Sequence, residues 1–471
     1  MSVAPNPPID LGQSQQLHVV GVGGPGMSAI AIVLAEMGHT VSGSDMREKP
    51  VLDRLRASGI QVHLGHQRSH VHNMDAVTAS TAIPTGNIEL VEAAKCGSLV
   101  LRRAGMLAGI CARAQSLGVA GTHGKTTTSS MLMMTMAGAG LRPSFVIGGD
   151  VTDMGTGAHW TGSDWFVVEA DESDGTHLEL PLYGTIITNI EADHLDHYGT
   201  LEAIVQGFDR YLDQIPGPKV LCIDDARCAL LADKHNAITY GFSDRAEFQA
   251  VDLRPGHGSF HFSVLHHGQS LGEIHLPLRG THNVQNATAV VAMCISIGIA
   301  FDIIAETLGR FGGVARRFET RGHHQGIALI DDYAHLPSEI AAVLCAARQS
   351  GDGWSRVVAV FQPNRYNRMA ELWQDYRDAF TQADLIVLTD IYPSGTAPIP
   401  GVTGKLVVNA VLDAHPRAAV VWLPRRAELI EYLARNLRAG DVCISMGCGD
   451  IASLPTEVVE YWAANCVDAA L

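Results

Sequence analysis

The segment Leu117-Gly-Val-Ala-Gly-Thr-His-Gly-Lys-Thr-Thr-Thr128 decides the fold. Residues 118–121 read as the end of a buried strand, and residues 128–139 carry a strong helical pattern. Between them a glycine turn leads to Lys125, able to reach β- and γ-phosphates, and to Thr126, whose hydroxyl can ligate magnesium at a helix start. A strict phosphate-loop expression needs glycine at position 119, where this chain has valine. Gly-Lys-Thr alone recurs by chance; the strand before it and the helix after it select the nucleotide reading.

Outward from this loop, Asp164-Trp-Phe-Val-Val-Glu169 reads as a buried strand delivering a carboxylate at its C-terminal end. Ligands bind at that edge of open α/β sheets, so Glu169 is a candidate magnesium ligand. In the run that follows, Asp171-Glu172-Ser173-Asp174, the last residue fits a solvated loop. Residues 186–197 repeat the arrangement one strand later, where an imidazole and carboxylates converging could complete a second magnesium site. Asp196 and His197 read as exposed.

A second glycine cluster, Gly21-Val-Gly-Gly-Pro-Gly26, lies between a strand at 17–22 and a helix at 27–36, with Asp45 closing the next strand. Backbone amides at a helix N-terminus would face a pyrophosphate, with the acid available to a ribose hydroxyl. Alone, this pattern describes an NAD-dependent dehydrogenase, although any nucleotide diphosphate suits the same amides. Strands at 75–79 and 99–102 continue a first α/β unit, and strands at 165–168 and 185–188 a second. Residues 260–264 and 271–276 flank His-His-Gly-Gln-Ser, an antiparallel hairpin signal. Beyond Arg316-Arg317-Phe318, apolar runs at 328–330, 357–361, 385–388, 420–423 and 442–445 make a third unit. The expected fold is α/β with three domains. A Rossmann-like N-terminal domain spans 1–105, and a P-loop-type central ATPase domain with a small antiparallel element spans 106–318. A Rossmann-like C-terminal domain spans 319–471.

Composition agrees. At roughly 150 residues per domain, a chain of 471 residues suggests three. A net charge of −16 argues against a nucleic-acid partner, and 46% apolar with 17% charged residues excludes a disordered chain. Nine cysteines without a C-x-x-C pair suit a reducing cytoplasm. The first ten residues lack a signal-peptide pattern, and the charge-free stretch 283–301 reads as a buried helix rather than a membrane span. His63, His66, His70 and His72 lack the context of a metal site.

These residues resemble the ATP-dependent muropeptide ligases of bacterial cell-wall synthesis, in motif order and from about Leu17 to the final helix. The matching motifs are G-T-H-G-K-T-T at 121–127, E-A-D-E-S-D at 169–174 and N-I-E-A-D-H at 189–194, with His282-Asn283 and Asn286. Arg316-Arg317-Phe318, Asp331-Asp-Tyr-Ala-His335, Phe361-Gln-Pro-Asn-Arg365 and the proline-rich 392–401 follow. G-V-G-G-P-G-M at 21–27 with S-G-S-D at 42–45 resembles the alanine-adding branch. The resemblance implies successive UDP-sugar, ATP and amino-acid domains. ATP would phosphorylate the lactyl carboxylate of UDP-N-acetylmuramate, and the amine of L-alanine would displace the phosphate. It further implies UDP-sugar contacts at Gly23, Gly24, Pro25, Gly26, Met27, Ser44, Asp45 and Ser80. ATP would meet Gly121, Thr122, His123, Gly124, Lys125, Thr126 and Thr127, with His282, Asn283 and Asn286 on the adenine side. Magnesium would be held by Thr126, Glu169 and His194. Lys125, His335, Arg365 and Arg368 would be catalytic, with Tyr333 near the amino acid. Two positions depart from the family pattern, Leu336 and Asn364, both normally histidine. Residues 191–214 contain no lysine, so the carbamylated lysine of some sister ligases is absent. A murein-tripeptide ligase, an adder of another amino acid and a nucleotide-switch ATPase are the remaining readings; oligomeric state stays open.

Overall fold

A computed structural model describes residues 8–193 and 195–466. Contacts divide the chain into two units: Met1–Asp252 with Phe262–Leu276 and Val284–Gly312, and Leu253–His261 with Pro277–Asn283 and Gly313–Leu471. The first unit carries two sheets and the second unit one, giving the three-sheet α/β architecture expected.

The first sheet comprises β1 (Gln16–Val20), β2 (Thr40–Asp45), β3 (Gln61–Leu64), β4 (Ala76–Ala79) and β5 (Leu99–Arg102), ordered β3-β2-β1-β4-β5. All its pairings are parallel. Leu17, Val19 and Val20 are fully buried, as the continuous apolar run of a strand covered on both faces requires. Strand order reverses between β1 and β4, which makes the end of β1 the topological switch point where such sheets bind ligands. The helix Pro25–Glu36 starts there, with proline in its first turn, and buries Ile30, Val33 and Leu34.

The second sheet holds β6 (Gln115–Ala120), β7 (Ser144–Val151), β8 (Thr156–His159), β9 (Trp165–Glu169) and β10 (Gly184–Ile187). It continues with β11 (Lys219–Cys222), β12 (Ile238–Gly241), β13 (Phe248–Gly256), β14 (Ser259–His266) and β15 (Gln269–Leu276). Its order is β15-β14-β13-β12-β11-β10-β6-β9-β7-β8, with β6 parallel to both neighbours. The expected hairpin is β14–β15, closed by His267 and Gly268 at φ 48° and 76°. The helix Thr281–Ser296 takes up most of the charge-free stretch, and its Val284, Val290 and Val291 are buried. No helix among the described residues is long and apolar enough to cross a membrane.

The third sheet contains β16 (Glu319–His324), β17 (Ile327–Asp332), β18 (Arg356–Phe361), β19 (Leu385–Leu388), β20 (Val420–Trp422) and β21 (Asp441–Met446). Its order is β16-β17-β21-β18-β19-β20, parallel except for β16 against β17. Val357, Ala359 and Phe361 of β18 enter one apolar cluster and Val358 and Val360 another, so both faces are covered.

Candidate active site

The loop after β6 is clamped to the end of β10. Thr122 N donates to Asn189 O at 3.1 Å, His123 N to Asn189 Oδ1 at 2.9 Å, and Thr188 Oγ1 to His123 O at 2.5 Å. Glu191 N donates to Thr122 Oγ1 at 2.8 Å, and a His123 ring nitrogen lies 3.2 Å from Glu191. The clamp explains Gly121: at φ 119°, a Cβ there would stand 2.3 Å from Thr188 Oγ1. Gly124, at φ 82°, precedes the helix Lys125–Gly138 and places no side chain on its first-turn amides. Uncapped amides at a helix start fit a phosphate. Asn286, expected on the adenine side, packs against this turn, its Oδ1 2.8 Å from where a Gly124 Cβ would be.

Lys125 Nζ donates to Gly121 O at 2.6 Å and Thr122 O at 3.2 Å, and pairs with both Glu172 oxygens at 2.9 and 3.0 Å. Burial opposes its charge, but Glu172, Asp171 and Glu169 outweigh that and hold the ammonium above its usual pKa. Asp171, raised by burial, is pulled well below the usual carboxylate range by Lys125 and Arg103. Arg103 Nη2 reaches Asp171 at 3.1 Å and Asp174 at 2.9 Å, so Asp174 is an ion-pair partner and not a solvated loop residue. Glu169 closes β9 as expected and accepts from Gly148 N at 2.7 Å. Oxygen donors from Thr126 and Glu169 beside a phosphate loop are the ligand type magnesium takes. His194, the expected third ligand, lies outside the described residues, as does the side chain of Asp196; His197 is exposed.

At the first glycine loop, Ser44 O accepts from Gly21 N at 2.8 Å and Val22 N at 3.0 Å. Asp45 Oδ2 accepts from Gly23 N at 3.0 Å, so the acid expected to meet a ribose ties down the loop itself. The Ser44 hydroxyl is fully buried and donates to Glu89 at 2.6 Å. The Met27 side chain is buried in the core. Gly24 and Pro25 open the helix, and the Ser80 Cβ faces Gly21, 3.3 Å from where a Cβ would be. A Cβ on Gly26 would lie 3.3 Å from Arg103 Nη1, so one guanidinium touches this loop and the acidic run after β9. Two of the four clustered histidines, His66 and His70, place Nδ1 at 2.8 and 2.7 Å from the buried Glu89.

His282 and Asn283 fall in the C-terminal unit, where burial and then Arg317 push the His282 imidazole down to about 4 and Asn283 Nδ2 donates to Arg279 O at 2.8 Å. Arg316 Nε donates to Asp331 at 2.9 Å and its Nη2 to Gly447 O at 2.7 Å. The Arg316 and Arg317 guanidinia lie 5.1 and 5.3 Å from the Tyr333 ring centre. Burial pushes the Asp332 carboxyl up to about 6, against Arg317 and the N–H groups of Ala334 and Phe318. His335 Nδ1 faces Tyr333 O at 3.1 Å and Glu339 at 3.2 Å. Leu336 is buried where the helix Pro337–Gln349 begins, an apolar plug in place of the usual histidine. Asn364 is buried too, and its Oδ1 accepts from Arg368 Nη1 at 3.0 Å. Arg316, Phe318 and Arg365 all have positive φ, at 60°, 49° and 60°; strain of this kind gathers where structure positions functional groups.

Sequence reasoning missed Arg103, Asn189 and Asp332 and gave Glu172 no partner. Asn189, Asp332 and Glu172 lie inside the motifs at 189–194, 331–335 and 169–174, and the Arg102-Arg103 pair at the end of β5 is the local signal for Arg103.

Three family models match in succession: the Mur ligase family catalytic domain over 16–115, the Mur ligase middle domain over 119–294 and the Mur ligase glutamate ligase domain over 316–449. A UDP-N-acetylmuramate–L-alanine ligase of Geobacter sp. (strain M21) is 43% identical over 444 residues, covering 93% of this chain and 96% of the relative. One of Acidothermus cellulolyticus is 43% identical over 467 residues, covering 98% and 97%. The crystal structure of UDP-N-acetylmuramate-alanine ligase from Thermotoga maritima superposes with a TM-score of 0.81 at 27% identity, covering 96% of this chain and all of that one.

Proposed function

The chain belongs to the Mur ligase family, and from that premise we propose that it joins L-alanine to the lactyl carboxylate of UDP-N-acetylmuramate with ATP, in peptidoglycan precursor synthesis. One observation carries the chemistry: a lysine parked on a glycine turn at an uncapped helix start, beside a strand-end carboxylate. A carboxylate is a poor acyl donor until one oxygen becomes a phosphate leaving group. Transfer of the γ-phosphoryl group from ATP makes that acyl phosphate; the alanine amine then attacks the carbonyl, phosphate departs and an amide forms.

The protein's share is positioning and charge neutralisation. Lys125 moves from Glu172 to the β/γ-phosphates, while the clamp from Thr188, Asn189 and Glu191 keeps the loop in shape. Thr126, Glu169 and His194 would hold magnesium, which when bound supplies charge neutralisation at the phosphates. The loop after β1, with Asp45 and Ser80 behind it, receives the UDP-sugar. His335 orients or deprotonates the alanine amine, and Arg365 and Arg368 receive its carboxylate through charge-assisted bonds. Residues 1–105, 106–318 and 319–471 then serve UDP-sugar, ATP and amino acid in turn, in the cytoplasm.

The test is phosphate release with ATP and magnesium, omitting each substrate in turn. Release that needs both UDP-N-acetylmuramate and L-alanine, with a product heavier by one alanine residue, is the expected result. Release indifferent to the UDP-sugar, or supported by a tripeptide and not by alanine, would sink the assignment.

A further inference from the structure

The hairpin end of the second sheet carries a cluster that the ligase chemistry leaves unused. Glu247, just before β13, and His266 and His267, at the end of β14, bring one ligand atom each to within 4.8 Å of one another. Both imidazole Nε2 atoms stand 3.3 Å from the same oxygen, Glu247 Oε1. The backbone fixes this convergence: His267 N donates to Glu247 O at 2.9 Å, and the His266 ring stacks on Phe248 at 4.2 Å. We infer that Glu247, His266 and His267 form a binding site for a divalent transition-metal ion of the zinc type, with solvent completing its shell.

Three observations favour this over a chance surface contact. Charge-assisted hydrogen bonds settle at about 2.7–2.9 Å, shorter than either separation here. Ligands bound tetrahedrally at zinc distances lie roughly 3.3 Å apart, so little movement is needed to admit the ion. Second, His267 occupies a turn position at φ 48°, followed by Gly268 at 76°. Asparagine or glycine is the residue such a two-residue turn prefers, so turn geometry does not account for the imidazole. Third, no lysine or arginine among the described residues pairs with Glu247. In the comparable trio His72, Glu92 and Cys96, by contrast, Lys95 and Arg68 stand 3.9 and 4.0 Å from Glu92, and both would repel a cation. Two imidazoles and one carboxylate select zinc, copper or nickel over magnesium, so the site does not draw on the magnesium of the reaction. A bound ion would staple the segment before β13 to the β14–β15 turn.

The experiment uses untagged full-length protein, stripped of metal and titrated with Zn²⁺ by calorimetry, beside His267→Asn and Glu247→Gln. Both variants should take up one equivalent less zinc than the wild type, and excess Mg²⁺ should not displace the ion. His267→Asn suits the turn, so without metal its melting temperature should equal or exceed that of the wild type, and ligase turnover should be unchanged. Zinc uptake by His267→Asn equal to that of the wild type, or no uptake by the wild type, would overturn the inference.

Discussion

Lys125 and Glu172 form a buried ion pair at 2.9 Å. Removing one partner of such a pair costs about 3–5 kcal/mol, because the other charge is left buried alone. Lys125→Ala should therefore abolish phosphate release and also lower stability in denaturant unfolding. Adding Glu172→Gln should restore much of the stability and none of the turnover; a double variant no more stable than the single one would show that the pair is not the cause. His177 poses the reverse case. It is fully buried against Phe208 and Tyr211, at ring distances of 5.4 and 5.2 Å, and neither ring nitrogen has a hydrogen-bond partner. Burial pushes its imidazole down from 6.5 to about 4. The unfolded chain thus binds the extra proton first, and this residue's contribution to stability is intact above pH 6.5 and lost as pH falls toward 4. His177→Phe should raise stability by about 1–3 kcal/mol and flatten that acid limb, read from unfolding curves at pH 7 and pH 5.

One short helix, Ile88–Cys96, supports the first glycine loop from below. Its Glu89 is fully buried and accepts from Ser44 Oγ at 2.6 Å and Gln67 N at 3.2 Å, beside the His66 and His70 rings. Ser44 in turn lends its carbonyl to Gly21 and Val22. Glu89→Gln should raise KM for the UDP-sugar with kcat little changed, while Glu92→Gln, one turn further on and partly exposed, should leave both alone; equal KM in the two variants would refute the support. The elements legible in the sequence share a cause with those that were not. β5 and β19 have the bounds that the apolar runs suggested, Leu99–Arg102 and Leu385–Leu388. β3 and β16 escaped because their sequences, Gln-Val-His-Leu and Glu-Thr-Arg-Gly-His-His, carry no continuous apolar run, whereas the equally exposed edge strand β5 does. The site divides in the same way. Gly121 to Thr127 were readable because a phosphate loop keeps its chemistry in consecutive residues. Their partners were not: Lys125 meets Glu172 across 47 positions and Arg103 meets Asp171 across 68, distances over which local patterning carries nothing.

Over the whole molecule, the net charge of −16 opposes anionic substrates, while uncapped amides, Lys125 and Arg103 attract them locally. Added salt screens the bulk repulsion as well as the local attraction. KM for ATP should accordingly change little between low and physiological ionic strength, and a steep rise of the kind a basic groove produces would contradict this balance. The loops that carry chemistry follow the carboxyl ends of strands: β1 in the first sheet, β6, β9 and β10 in the second, β17 and β18 in the third. The apolar clusters lie mainly between sheet and helices, with Ala170, Ile190 and Ala334 of these loops reaching into them. An engineer exchanging these loops must therefore keep their buried anchors, Ala334 and Leu336 in the third unit among them. Grafting residues 333–336 and 362–368 from a sister ligase should redirect the amino acid accepted, and keeping Ala334 and Leu336 in the graft should hold the melting temperature closer to that of the parent than the full exchange does.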